Sequence, residues 1–145
     1  MSAKSGVQAP GMHHIGQVAE VVGVSLRAIR HYEDVGLAPP SGRSLGGFRL
    51  YTDEDIERLC LVKQIKPLDF SLEEIRAALD ARSQLRRGVT GPRRLAALES
   101  LRSFATRAED RCRRRDQELS AARELTAALR RELGPAHPEA GRSHL

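Results

Sequence analysis

The apolar positions of this chain change rhythm several times, and each change marks an element. Ile15, Val18, Ala19 and Val22 are spaced so that all four fall on one face of a short amphipathic helix. Gly23 can take the positive φ that ends such a helix, and the Ser25 side chain is placed to cap the free N–H groups of the next one. In that second helix Leu26, Ile29 and Val35 are expected to face inward, with Arg27, Arg30 and His31 on its other sides. Gly36 closes it, and Pro39-Pro40 sends the chain onward in an extended direction. Two helices joined by so short a turn form a helix-turn-helix pattern, whose second helix is the one suited to a major groove.

The next pattern has period two. Arg43 precedes a Gly46-Gly47 hairpin tip, and Phe48, Leu50 and Tyr51 follow it. Alternation sends Arg49 to the face opposite Phe48 and Leu50, so the hairpin is expected to turn its arginines outward and act as a wing. Helical rhythm then returns. Thr52 caps a helix opened by Asp53-Glu54-Asp55, whose charges suit the positive helix end, and Ile56, Leu59, Val62 and Ile65 supply its core face. Pro67 stops or kinks that helix, and Ser71 with Glu74 makes an S-x-x-E box ahead of Leu72, Ile75, Ala78 and Leu79.

After Arg82 the composition shifts, and Ser83 to Pro92, with Gly88 and Gly91, reads as a connection. Arg93 to Leu133 contains no proline or glycine and is rich in Ala, Leu, Arg and Glu, the pattern of one long helix. Steps of four and three from Leu101 reach Ala105, Ala108, Cys112, Arg115, Leu119, Ala122, Thr126, Leu129 and Leu133, and eight of these ten positions are apolar. At about 1.5 Å per residue such a helix is roughly 60 Å long, too long to bury its stripe against a small domain. The economical partner is the same helix of a second copy. Ala105, Ala108 and Ala122 would permit close approach, while Arg115 and Thr126 would weaken the seam locally and help to fix its register.

The segments S-x-x-x-I-R-x-Y-E (Ser25 to Glu33), G-F-R-x-Y (Gly47 to Tyr51) and F-S-L-E-E-I (Phe70 to Ile75) together resemble the winged helix-turn-helix domain of the MerR family of bacterial transcription regulators. The resemblance covers residues 13–82, about half the chain. It implies a mainly α fold with a small β-hairpin wing, followed by a long helix that forms an antiparallel coiled coil in a homodimer. The implied partner is double-stranded promoter DNA. Distortion of an overlong promoter spacer would let RNA polymerase engage both promoter elements, at a DNA deformation cost on the order of several kcal/mol. Arg27 and Arg30 become candidates for groove and nearby phosphate contacts, and Arg43 and Arg49 for wing contacts to phosphate. Tyr32 and Tyr51 are either hydroxyl donors to phosphate or core residues, Lys66 can reach a phosphate, and Ser25 and His31 complete the candidate surface. The chain departs from the family pattern at His31, where a second aromatic is usual, and at Asp69, where a glycine precedes Phe70.

Composition narrows this picture. With 145 residues, 40% hydrophobic content and 3% aromatic content, the chain supports one modest core plus an extended element. The expected organisation is a disordered tail over 1–12, the winged domain over 13–82, a linker over 83–92, the dimerisation helix over 93–133 and a short flexible tail over 134–145, with no large effector domain. No apolar run approaches membrane-spanning length and no signal-peptide segment opens the chain, so a cytoplasmic location without membrane contact is expected. The net charge of +5 is unevenly placed: Met1 to Arg82 holds ten Lys/Arg against eleven Asp/Glu, and Ser83 to Leu145 fourteen against eight. The run Arg111 to Arg115 is the polar face of a helix. Locally, however, Gly23 to Tyr51 carries four arginines against Glu33 and Asp34, enough for a basic edge on a near-neutral domain.

Cys60 and Cys112 are too far apart in sequence for a C-x-x-C site and are expected to be reduced thiols. Metal-sensing members of the family carry a cysteine-containing loop after the dimer helix; here the tail has His137 and His144 and no cysteine, so neither a metal nor another cofactor is expected. No histidine or carboxylate cluster accompanies a phosphate loop, which argues against an enzyme. Two other readings remain. The slightly negative amino-terminal half would suit a coiled-coil adaptor whose winged domain docks a protein, and Cys112, on the seam near the helix midpoint, would suit a thiol-based redox regulator.

Overall fold

The chain runs β1 (Met12–His14), α1 (Ile15–Val22), α2 (Leu26–Asp34), β2 (Gly42–Arg43), β3 (Arg49–Thr52), α3 (Asp53–Ile65), a 3-10 turn (Lys66–Leu68), α4 (Leu72–Arg86) and α5 (Gly91–Leu133). This is a computed structural model, and it describes residues 11–135. Short polar side chains set three of the helix starts. Ser25 Oγ accepts from the Ala28 N–H at 3.0 Å, Thr52 Oγ1 from Asp55 N–H at 3.0 Å and Ser71 Oγ from Glu74 N–H at 3.1 Å. The Asp55 and Glu74 carboxylates reach back to the Thr52 and Ser71 N–H groups, closing two capping boxes.

The turn between α1 and α2 requires glycine. Gly23 has φ 81°, and Lys63 Nζ donates to the Val22 carbonyl at 3.0 Å beside it, so a Cβ on Gly23 would lie only 2.8 Å from that nitrogen. After the 3-10 turn the left-handed position falls to a non-glycine residue, Asp69, at φ 61°. This is the position where the family pattern has glycine. Aspartate tolerates the left-handed region better than most residues do.

The sheet is antiparallel with β3 in the centre, in the order β1-β3-β2. Met12 pairs with Thr52 and His14 with Leu50 on one side; Gly42 pairs with Leu50 and Arg43 with Arg49 on the other. The expected hairpin has therefore gained a third strand, and Met12, expected in a disordered tail, belongs to it. His13 Nε2 lies 2.7 Å from Asp53 Oδ1 and ties this strand to the start of α3.

The chain divides into two units, one closing at Ala105 and the other opening at Thr106. The core of the first unit is built from Val18, Ile29, Leu37, Tyr51, Leu59, Val62 and Ile75, all almost fully buried. Two expectations for α2 fail. Leu26 and Val35 are 39% and 38% exposed, and the inner positions belong to Ile29 and Tyr32. Val35 is the residue after the last helical one, and Leu26 lies in the first turn, so neither is carried round to the buried face. Early in α5, Ala97 and Phe104 are buried, with the Phe104 ring centroid 4.3 Å from that of Phe70.

The expected connection over 83–92 is also shorter. No glycine or proline interrupts α4 before Gly88, so the helix runs to Arg86, and α5 already begins at Gly91. In the second unit the described helical residues bury none of their side chains: Leu119, Leu125, Leu129 and Leu133 are between 48% and 78% exposed. No helix among the described residues is long and apolar enough to cross a membrane. His137 and His144 lie outside the described residues.

Candidate nucleic-acid interface

Ser25 acts at this surface by holding the first turn of α2 through its cap. Arg27, Arg30 and His31 then project from the helix as exposed side chains, and neither arginine has an ion-pair partner among the described residues. Arginines in that state keep all five N–H donors for a ligand. On the inner side the Tyr32 ring is buried, with Lys66 Nζ 5.8 Å from its centroid, so Lys66 lies beside the same helix.

The wing arginines behave differently. Alternation places Arg49 on the same face as Tyr51, and Tyr51 is the fully buried residue of β3, so Arg49 faces α2. Its Nε donates to Glu33 Oε1, and Arg43 Nη2 donates to Glu33 Oε2 at 3.1 Å. A further bond, Arg43 Nη1 to the Gly47 carbonyl at 3.0 Å, fastens the hairpin tip. The expectation that the hairpin turns its arginines outward is thus corrected for Arg49, whereas Arg43 remains exposed. The side left to solvent carries Phe48, 68% exposed, and the tip carries the fully exposed Leu45. The carboxylate of Glu33 also raises the affinity of the Arg49 guanidinium for its proton above the ordinary range.

Tyr51, read from the sequence as either a phosphate donor or a core residue, is a core residue. Its hydroxyl is shut off from solvent and has no hydrogen-bond partner among the described residues, and burial foremost, with Glu33 next, pushes its pKa above the ordinary tyrosine value. Glu33 is the residue that sequence reasoning missed, having counted it only as a negative charge among arginines. The available signal was the hairpin register: Arg43 and Arg49 sit directly opposite each other, and like charges in that position call for a counter-ion.

Other charged groups brace the domain. Arg58 Nε donates to the Leu37 carbonyl at 2.7 Å and its Nη2 to Asp80 at 2.8 Å, joining the segment after α2 to α3 and α4. Arg86 and Arg82 both donate to Glu57, which holds that carboxyl below its usual range. These arginines line an open groove of about 340 Å³ beside Pro39 and Pro40. No group of three or more His, Cys, Asp or Glu side chains among the described residues could hold a metal ion. Cys60 is half-buried and Cys112 exposed.

A domain of this topology, with a second helix that exposes two arginines beside an arginine-bearing hairpin, is a winged helix-turn-helix. The chain belongs to the MerR family of transcription regulators, a family of regulatory proteins and not of enzymes: residues 14–82 match the family described as MerR HTH family regulatory protein, and the HTH-type transcriptional regulator ZntR of Escherichia coli is 34% identical over 114 residues, covering 70% of this chain and 81% of ZntR. The nodulation protein NolA of Bradyrhizobium sp. is 44% identical over 71 residues, 49% of this chain but 30% of NolA, so the chain spans less than a third of that relative. The fold is also that of HiNmlR, a MerR family regulator lacking the sensor domain, whose crystal structure bound to promoter DNA aligns with a TM-score of 0.65 at 24% identity over 81% of this chain and 86% of that one.

Proposed function

We propose that the chain binds promoter DNA as a homodimer and controls transcription by distorting the promoter spacer for RNA polymerase. The observation that carries this reading is that Arg27 and Arg30, on the exposed side of α2, have no ion-pair partner among the described residues, beside a wing whose two arginines are held on Glu33. An exposed helix presenting unneutralised guanidiniums suits a groove lined by phosphates. HiNmlR, whose fold this chain shares, is bound to promoter DNA in its own crystal structure. Pairing of α5 helices is supported by the uncovered seam: Leu101 and Ala108 are half-buried, whereas Ala105, Cys112, Leu119, Ala122, Leu129 and Leu133 are exposed. Covering one fully exposed leucine is worth about 2 kcal/mol, so a helix carrying several has a strong reason to pair.

Two measurements test the reading. Sedimentation equilibrium is expected to give a dimer, converted to monomer by Leu119→Glu with Leu129→Glu. Mapping of bound DNA across the genome is expected to give a small set of near-palindromic promoter sites, lost in the same double variant. A monomer that captures protein partners and binds no DNA at low salt would replace this reading with the adaptor one.

A further inference from the structure

We infer that Glu33 is a positioning residue for DNA binding, holding the two wing arginines in the geometry that meets phosphate; the inference rests on the DNA-binding reading above. Arg43 and Arg49 face each other across the β2–β3 ladder, and two guanidiniums so placed repel. Glu33 resolves this from the neighbouring helix, giving one carboxylate oxygen to each. Its side chain is 19% exposed, while those of Arg43 and Arg49 are 49% and 27% exposed, so the carboxylate lies behind the arginines. Each guanidinium has five N–H donors, and these bonds, with the one to the Gly47 carbonyl, use three of the ten. The remaining donors stay available, on side chains whose rotational freedom has already been spent, which lowers the entropy cost of a phosphate contact. The same carboxylate links the wing to α2, fixing the spacing between the two DNA-facing elements.

The sign of one substitution separates positioning from plain charge. Removing a negative charge beside DNA-facing arginines should strengthen DNA binding if Glu33 acts only through its charge. If it positions the arginines, Glu33→Gln weakens binding although the domain becomes more basic. Asp34 supplies the control, because it lies next to Glu33 on the exposed side and accepts no hydrogen bond from either arginine.

The experiment measures fluorescence-anisotropy affinity for a labelled mixed-sequence duplex across a salt series, with the full chain and its Glu33→Gln, Glu33→Asp and Asp34→Asn variants, each checked by thermal melting. Expected are about tenfold weaker binding and a shallower salt slope for Glu33→Gln, partial recovery for Glu33→Asp, and unchanged or tighter binding for Asp34→Asn. Glu33→Gln binding as tightly as wild type, or tighter, overturns the inference. If Glu33→Gln does not fold, Arg49→Lys makes the same test: it keeps the charge but lacks the Nε donor, and wild-type affinity in that variant overturns the inference. Failure of the wild-type chain to bind the duplex at low salt would instead remove the DNA-binding reading beneath it.

Discussion

Two pairs of arginines stand on the same domain in opposite states. Arg27 and Arg30 on α2 are exposed and unpaired among the described residues, whereas Arg43 and Arg49 on the wing are clamped on one carboxylate. A free arginine adapts to what it meets and loses rotamer freedom when it does so; a clamped one has lost that freedom in advance and offers a fixed point. The difference suggests a division of labour. In the proposed mode of binding, the wing would set the register of the domain on the DNA backbone, and α2 would adjust to the bases and phosphates within that frame.

Substitutions in either pair put this division of labour at risk. The largest effect is expected from Arg49→Ala, which removes a proposed phosphate contact and leaves the Glu33 carboxylate paired with Arg43 alone. A loss of about 2 kcal/mol in binding, roughly thirtyfold, is expected by anisotropy, with a measurable drop in melting temperature because a half-buried ion pair is broken. Arg30→Ala comes next, at about 1 to 2 kcal/mol in affinity with the melting temperature unchanged and, for a groove contact, a relaxed sequence preference in a selection assay. Equal drops of melting temperature in the two variants would erase the distinction between clamped and free.

The smallest effect on DNA is expected from Tyr51→Phe. The Tyr51 hydroxyl is buried without a partner among the described residues, so its removal should stabilise the fold by about 1 kcal/mol in chemical denaturation while DNA affinity stays within about twofold. A clear loss of DNA affinity would return Tyr51 to the DNA-facing surface. The same hydroxyl sets a pH dependence. Its folded pKa is raised, so its contribution to stability is complete below the ordinary tyrosine value of about 10 and is lost as the pH rises beyond it. Melting curves from neutral to alkaline pH should fall at that point in wild type and less so in Tyr51→Phe.

What could be read from the residues alone divides along local and non-local lines. The caps at Ser25, Thr52 and Ser71 were legible because an N-cap is decided within four residues. The strand Met12–His14 was not, since its partners Leu50, Tyr51 and Thr52 lie far along the chain and its own pattern is too short to register. Alternation in β3 correctly set Arg49 apart from Phe48 and Leu50, yet alternation says only which residues share a face. The burial of Tyr51 decides which face points inward, and that depends on α1 and α3 packing against β3. Arg27 and Arg30 were legible as exposed because Ile29 marks the inner side of the same helix, although Tyr32 takes the inner place that the pattern gave to Leu26 and Val35.

Whether this domain grips DNA through free arginines on α2 and clamped arginines on the wing is decided by the salt dependence of its binding to a mixed-sequence duplex. Wild type, Arg27→Ala with Arg30→Ala, and Arg43→Ala with Arg49→Ala should be compared. A steep fall in affinity with salt is expected for wild type, and a shallower slope in each double variant, by about 0.9 for every phosphate no longer neutralised. Unaltered slopes in both variants, or wild-type binding that does not respond to salt, would refute this mode of binding.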